Sequence, residues 1–170
     1  MITPAAYTKF ENNLLLSNVY KKTYNKDSKT LDETQFLKQA QDFLTEEEAQ
    51  RALVSIKGNI AYSKKDYAMW ESLMLEKYKD VSAVDANELN SVSWRFYENV
   101  TDKGALQKAI LWAQESVKKD QGYHNTDTLA HLYSKTGDKV NAKKWATKSI
   151  ELAKAEGEDF EGTQKLLESL

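Results

Sequence analysis

The chain has 170 residues, enough for one domain whose core needs no covalent staples. Hydrophobic residues make up 41% and charged residues 29%, which excludes a disordered tail, and the absence of cysteine removes disulfides, thiolate metal sites and thiol catalysis together. The net charge is −2, and only Arg51 and Arg95 among 24 basic residues are arginine, so the basic stripe and guanidinium forks of a nucleic-acid binder are missing.

Six glycines and one proline leave few helix breakers, and the composition favours long helices. From Ala5 to about Tyr24, the steps between Tyr7, Phe10, Leu14, Leu15, Val19 and Tyr20 mark one face of an amphipathic helix. The stretch from Asn25 to Thr30 is polar and reads as a turn. A short helix follows from Leu31 to Leu44, with Leu31, Phe36, Leu37, Ala40 and Leu44 inward. Thr45 to Glu48 is a capping box with an acidic first turn, opening a helix that carries Ala49, Leu53, Ile56, Ile60 and Ala61. Asp66 caps its partner helix, which carries Tyr67, Trp70, Leu73, Met74 and Tyr78.

Asp85 to Glu88 repeats the capping-box pattern before Leu89, Val92, Trp94, Phe96 and Tyr97. Asp102 starts the next helix, and Asn125 or Thr126 the one after. Gly137 stands where a helix end needs a left-handed residue, and Gly157 ends the helix from Lys139 in the same way. A last helix, about Asp159 to Ser169, caps the open end with Phe160, Leu166 and Leu167. The expected architecture is all-α: seven to eight helices joined by short turns in an antiparallel stack.

One short pattern occurs twice. Ala109, Trp112, Ala113 and Ser116 recur 33 residues later as Ala142, Trp145, Ala146 and Ser149. A period in the low thirties signals stacked helical hairpins. Within the second copy, Leu129, Ala130, Tyr133, Gly137, Ala142, Ala146 and Ser149 resemble the tetratricopeptide repeat, with serine where that family usually has alanine. The resemblance implies a right-handed superhelical array within a single domain over 1–170: an N-terminal helical pair (1–45), a degenerate hairpin (46–80), two repeats (85–119 and 124–157) and a capping helix (158–170). The first repeat fits only with about three extra residues between Val100 and Leu106.

A narrower resemblance rests on wording. Leu89-Asn90, the run from Trp94 to Val100, Asp102-Lys103, the run Ala109 to Ala113 and the run Glu156 to Phe160 are similar to the helical tail of certain bacterial envelope thioredoxin-like proteins. In those proteins a separate disulfide-exchange domain carries the chemistry, so this resemblance implies an accessory role without redox activity. It would place the chain in the periplasm or cell envelope, whereas the repeat alone suits the cytoplasm. The residues Met1 to Pro4 lack the basic and apolar regions of a secretory signal. No apolar run approaches the roughly 20 residues that span a bilayer, so membrane insertion is not expected.

Candidate chemistry is sparse. His124 and His131 are not spaced as zinc-protease ligands, and Asp127 and His131 are helix neighbours that pair locally. The acidic run from Glu156 to Glu161 lacks the spaced ligands of a calcium loop, and the isolated glycines cradle no phosphate. No enzyme activity, cofactor or metal is therefore expected. Trp112 and Trp145 sit at equivalent positions and are expected in the core or between repeats rather than on a ligand platform.

The repeat resemblance implies a concave groove lined by the first helix of each hairpin. Its exposed positions are Glu88, Ser91, Arg95 and Glu98 in one repeat and His124, Asp127, His131 and Ser134 in the other. This mixed charge suits a protein or peptide partner, or a thioredoxin-like domain docking intramolecularly. Carboxylate capture is disfavoured, because the lysines and asparagines of that subset are absent at these positions. On the degenerate hairpin the same positions are Leu53, Ile56 and Ile60, an apolar row that something should cover.

Overall fold

The computed structural model describes residues 3–170, apart from the side chains of Pro4, Ala5, Ala6 and Lys9. Met1 and Ile2, at the start of the segment read above for a leader, lie outside the described residues. The fold is all-α, with nine helices among the described residues, one beyond the expected upper count. None of them is long and apolar enough to cross a membrane. The chain divides into two compact units, residues 1–77 and 78–170.

The first unit begins with α1 (Pro4–Thr23) and a two-residue hairpin, β1 (Tyr24–Asn25) and β2 (Thr30–Leu31), pairing Tyr24 with Leu31 and Asn25 with Thr30. The polar turn of the sequence reading is thus the tip of a β-hairpin. Its driver is Asn25, whose Oδ1 accepts from the amides of Asp27 (2.9 Å) and Ser28 (3.0 Å), while Lys29 takes a left-handed φ of 53°. Next comes α2 (Glu33–Ala40), capped by Asp32 and ending one turn earlier than Leu44. The hairpin α3 (Glu46–Ser63) and α4 (Tyr67–Lys77) completes the unit.

The capping box forms in full: Thr45 Oγ1 accepts from the Glu48 amide at 3.3 Å, and Glu48 accepts from the Thr45 amide at 2.9 Å. Asp66 caps α4 through the Met69 amide at 3.1 Å. Gly58 lets the Met74 side chain lie directly against the α3 backbone. The core joins Val19 of α1, Phe36 and Ala40 of α2, and Ala49 and Leu53 of α3.

The expected inward face of α1 is corrected by this packing. Val19 is buried, but Tyr7, Phe10, Leu14 and Leu15 are 56%, 66%, 55% and 42% exposed. The cause is length: the 20 residues of α1 span roughly 30 Å, and the eight of α2 only about 12 Å. Helix α2 therefore covers the later turns of α1 and leaves the earlier ones bare.

The second unit holds α5 (Ala86–Asn99), α6 (Lys103–Lys119), α7 (Tyr123–Thr136), α8 (Lys139–Glu156) and α9 (Glu161–Ser169). Helices α5 with α6, and α7 with α8, form hairpins; α5 also packs on α7, and α9 on α8. Helix α7 begins at Tyr123, two residues before the expected start, because the Asn125 side chain reaches back to accept from the Gly122 amide at 2.9 Å. Gly137 and Gly157 adopt the left-handed conformation, at φ 88° and 76°.

The repeated pattern falls on α6 and α8, and the small residues do the same work in both. Ala109, Ala113 and Ser116, like Ala142, Ala146 and Ser149, are fully buried. Each serine hydroxyl donates to the carbonyl of the first residue in the preceding helix: Ser116 to Ala86 at 2.7 Å, Ser149 to Tyr123 at 3.2 Å. This explains serine where alanine would pack equally well.

The tryptophans differ. Trp112 is buried, donating through Nε1 to the Tyr78 carbonyl at 3.1 Å and meeting Phe96 edge-on at 5.0 Å. Trp145 is only half-buried, beside Gln121 and Lys148, with Lys144 5.2 Å from its ring. The chain before α5 supplies Tyr78 as a lid for Trp112. Only a short turn precedes α7, so among the described residues Trp145 has no counterpart to that lid, and it is not a core residue.

Candidate functional site on α5 and α7

The eight groove residues lie on α5 and α7 as their spacing requires, but they do not form one open surface. Ser91, Arg95, Glu98 and His124 are exposed. Glu88 is half-buried and accepts from the Tyr78 hydroxyl at 2.8 Å. It does not complete the expected capping box, although Asp85 Oδ1 does accept from the Glu88 amide at 2.8 Å. Burial, then the Glu88 hydrogen bond, pushes the Tyr78 phenol far above its ordinary range.

Asp127 and His131 are drawn inward. His131 Nδ1 lies 3.0 Å from the Asp127 carbonyl oxygen and 3.3 Å from its Oδ1. The same carboxylate accepts from the Thr163 hydroxyl of α9 at 2.5 Å, and Thr163 is buried. The imidazole meets Trp94 and Tyr97 edge-on at 5.3 and 5.0 Å, and those two rings lie 4.9 Å apart. Burial lowers the His131 pKa, but the hydrogen bond and charge of Asp127 together outweigh it, and the net shift is upward. The Thr163 hydroxyl donates to the carboxylate rather than to the imidazole, so the three groups do not form a nucleophile–base relay.

What stays open is a shallow hollow of about 500 Å³ lined by Tyr97, Glu98, Ser134 and Lys135. Lys135 was missed by the sequence reading. Its ammonium donates to the Tyr97 carbonyl and sits 5.4 Å from the Tyr97 ring, and burial lowers its pKa. The signal was available, since Lys135 follows His131 by one helical turn on the same face. Trp94 and Tyr97, read as packing residues, are half-buried and form the aromatic edge of the face.

His124 turns toward Tyr123, with ring centroids 4.8 Å apart. Among the described residues, no group of three histidine, aspartate or glutamate side chains is placed to hold a metal ion. No protein-family model matches the chain, and no curated protein or solved structure matches it either.

Proposed function

We propose that the chain is a non-enzymatic interaction module, similar to tetratricopeptide-repeat scaffolds, that holds a protein or peptide segment against α5 and α7. The observation that carries this reading is the hollow of Tyr97, Glu98, Ser134 and Lys135, where both signs of charge and an aromatic ring meet between two helices. The exposed Arg95 one turn before Glu98 extends the polar rim. Such a rim, with half-buried Trp94 beside it, resembles a protein interface, where aromatic and arginine residues anchor and charges set register. Asp127 and His131 serve this face by holding Trp94, Tyr97 and α9 in place rather than by touching a partner.

The test is affinity capture with the wild-type chain and an Arg95→Ala/Glu98→Ala variant. Both residues are exposed, and circular dichroism and melting temperature report whether the variant stays folded. Loss of a captured partner from the folded variant is the expected result. A partner retained by both would place the binding surface elsewhere and reject the α5–α7 face.

A further inference from the structure

The first unit contains a second concavity, and its chemistry differs from that of the α5–α7 hollow. Helix α2 wedges α1 from α3: Phe36 and Ala40 fill the space against Val19, Ala49 and Leu53. Beyond that wedge a cleft of about 610 Å³ stays open between α1 and α3. Leu16, Ile56 and Ile60 supply aliphatic surface, and the stacked rings of Tyr20 and Tyr24, 4.9 Å apart, supply an aromatic one. The apolar row Leu53, Ile56 and Ile60 is thus covered unevenly. Leu53 is buried and Ile56 packs against the core, while half-buried Ile60 faces the cleft.

The polar part of the lining is neutral throughout. Asn13, Ser17 and Asn59 make no side-chain hydrogen bond among the described residues. Ser55 and Ser63 donate to the carbonyls of Arg51 (3.0 Å) and Ile60 (2.8 Å), which leaves their oxygens as acceptors. In a chain that is 29% charged, none of the eleven lining residues carries a charge. An ionic ligand would lose hydration here and gain no counter-charge. A neutral one gains apolar contact along the floor and hydrogen bonds from amides and hydroxyls.

We propose that the α1–α3 cleft is a binding site for a small, uncharged, largely apolar molecule, seated on Leu16, Tyr20, Ile56 and Ile60 and oriented by Asn13 and Asn59. Its volume falls within the roughly 300–1,000 Å³ of small-molecule sites, which are mostly apolar with a few placed polar groups. The site belongs to the first unit alone and is independent of the α5–α7 face.

A matched pair of dyes tests the proposal: neutral N-phenyl-1-naphthylamine, and 1-anilinonaphthalene-8-sulfonate, the same aromatic system with an anionic group. The neutral dye should show saturable, one-site fluorescence enhancement, with the sulfonate at least about tenfold weaker. Ala52→Phe places a ring in the cleft and should weaken the neutral dye about tenfold or more, with circular dichroism reporting whether the variant folds. Asn59→Lys changes an exposed rim residue and should tighten the sulfonate at least about threefold, a readout that survives failure of the first variant to fold. Phe10→Ser, on the bare face of α1, should leave the neutral dye unaffected. Absence of saturable binding, equal affinity for both dyes, or a folded Ala52→Phe protein that binds like wild type would overturn the proposal. So would an unchanged sulfonate affinity in Asn59→Lys, or loss of binding in Phe10→Ser, which would put the dye on the bare face of α1.

Discussion

Trp112 and Trp145 occupy the same position in two copies of one pattern, and the structure gives them unequal weights. Trp112→Ala removes a buried indole, and such truncations cost about 3–5 kcal/mol. It also deprives the Tyr78 carbonyl of its donor, adding about 1 kcal/mol unless water enters. The total sits at the upper end of that range, about 4–5 kcal/mol. Trp145→Ala removes a half-buried ring whose neighbours include Gln121 and Lys148, and should cost about 1–3 kcal/mol. Trp112→Phe keeps most of the apolar area but not the hydrogen bond, and should fall between them. Urea unfolding followed by far-ultraviolet circular dichroism gives the three values, provided the denaturant slopes agree among variants. Equal losses for Trp112→Ala and Trp145→Ala, within about 0.5 kcal/mol, would refute the lid role assigned to Tyr78.

Two further outcomes follow from the second unit. Ser116→Ala should cost about 1–2 kcal/mol, because its hydroxyl both donates to Ala86 and accepts from Asn125 at 3.2 Å, whereas Ser149→Ala, with one longer bond, should stay within about 0.5 kcal/mol; the same unfolding assay compares them. His131 should titrate above the ordinary histidine value of 6.5, and Asp127→Asn should bring it down, as nuclear magnetic resonance titration of the imidazole would show. Because the folded pKa is the higher one, this pair stabilises the fold below pH ~6.5, and the contribution fades as pH rises through the folded value. A His131 pKa unchanged by Asp127→Asn would contradict the assigned cause.

The legible parts of the fold were those written in local sequence. Thr45, Asp66, Asp102 and Gly137 act on backbone groups within a few residues, so a cap or a stop can be read without knowing what lies across the chain. The recurring alanines and serines likewise read as buried because their spacing is helical. What could not be read depends on partners distant in sequence. Asp85 promised a full box, yet Glu88 turned to Tyr78, ten residues away. Asp127 and His131 carry the right spacing for an open groove, but Thr163, 36 residues on from Asp127, reaches its carboxylate from α9. The bare face of α1 reflects the length of α2, not any property of Tyr7 or Phe10 themselves.

The third residue of α7 and the third residue of α9 fasten their helices in different ways. In α7 that residue is Asn125, whose amide donates to Ser116 and to the Asp120 carbonyl, fastening the new helix to the joint of the hairpin before it. In α9 it is Thr163, whose hydroxyl donates to the Asp127 carboxylate of α7. The same position thus ties α7 to the hairpin immediately before it, and ties α9 past α8 to the helix before that. Loss of α9 would therefore be felt at Asp127 on α7, and not only along α8, on which α9 packs.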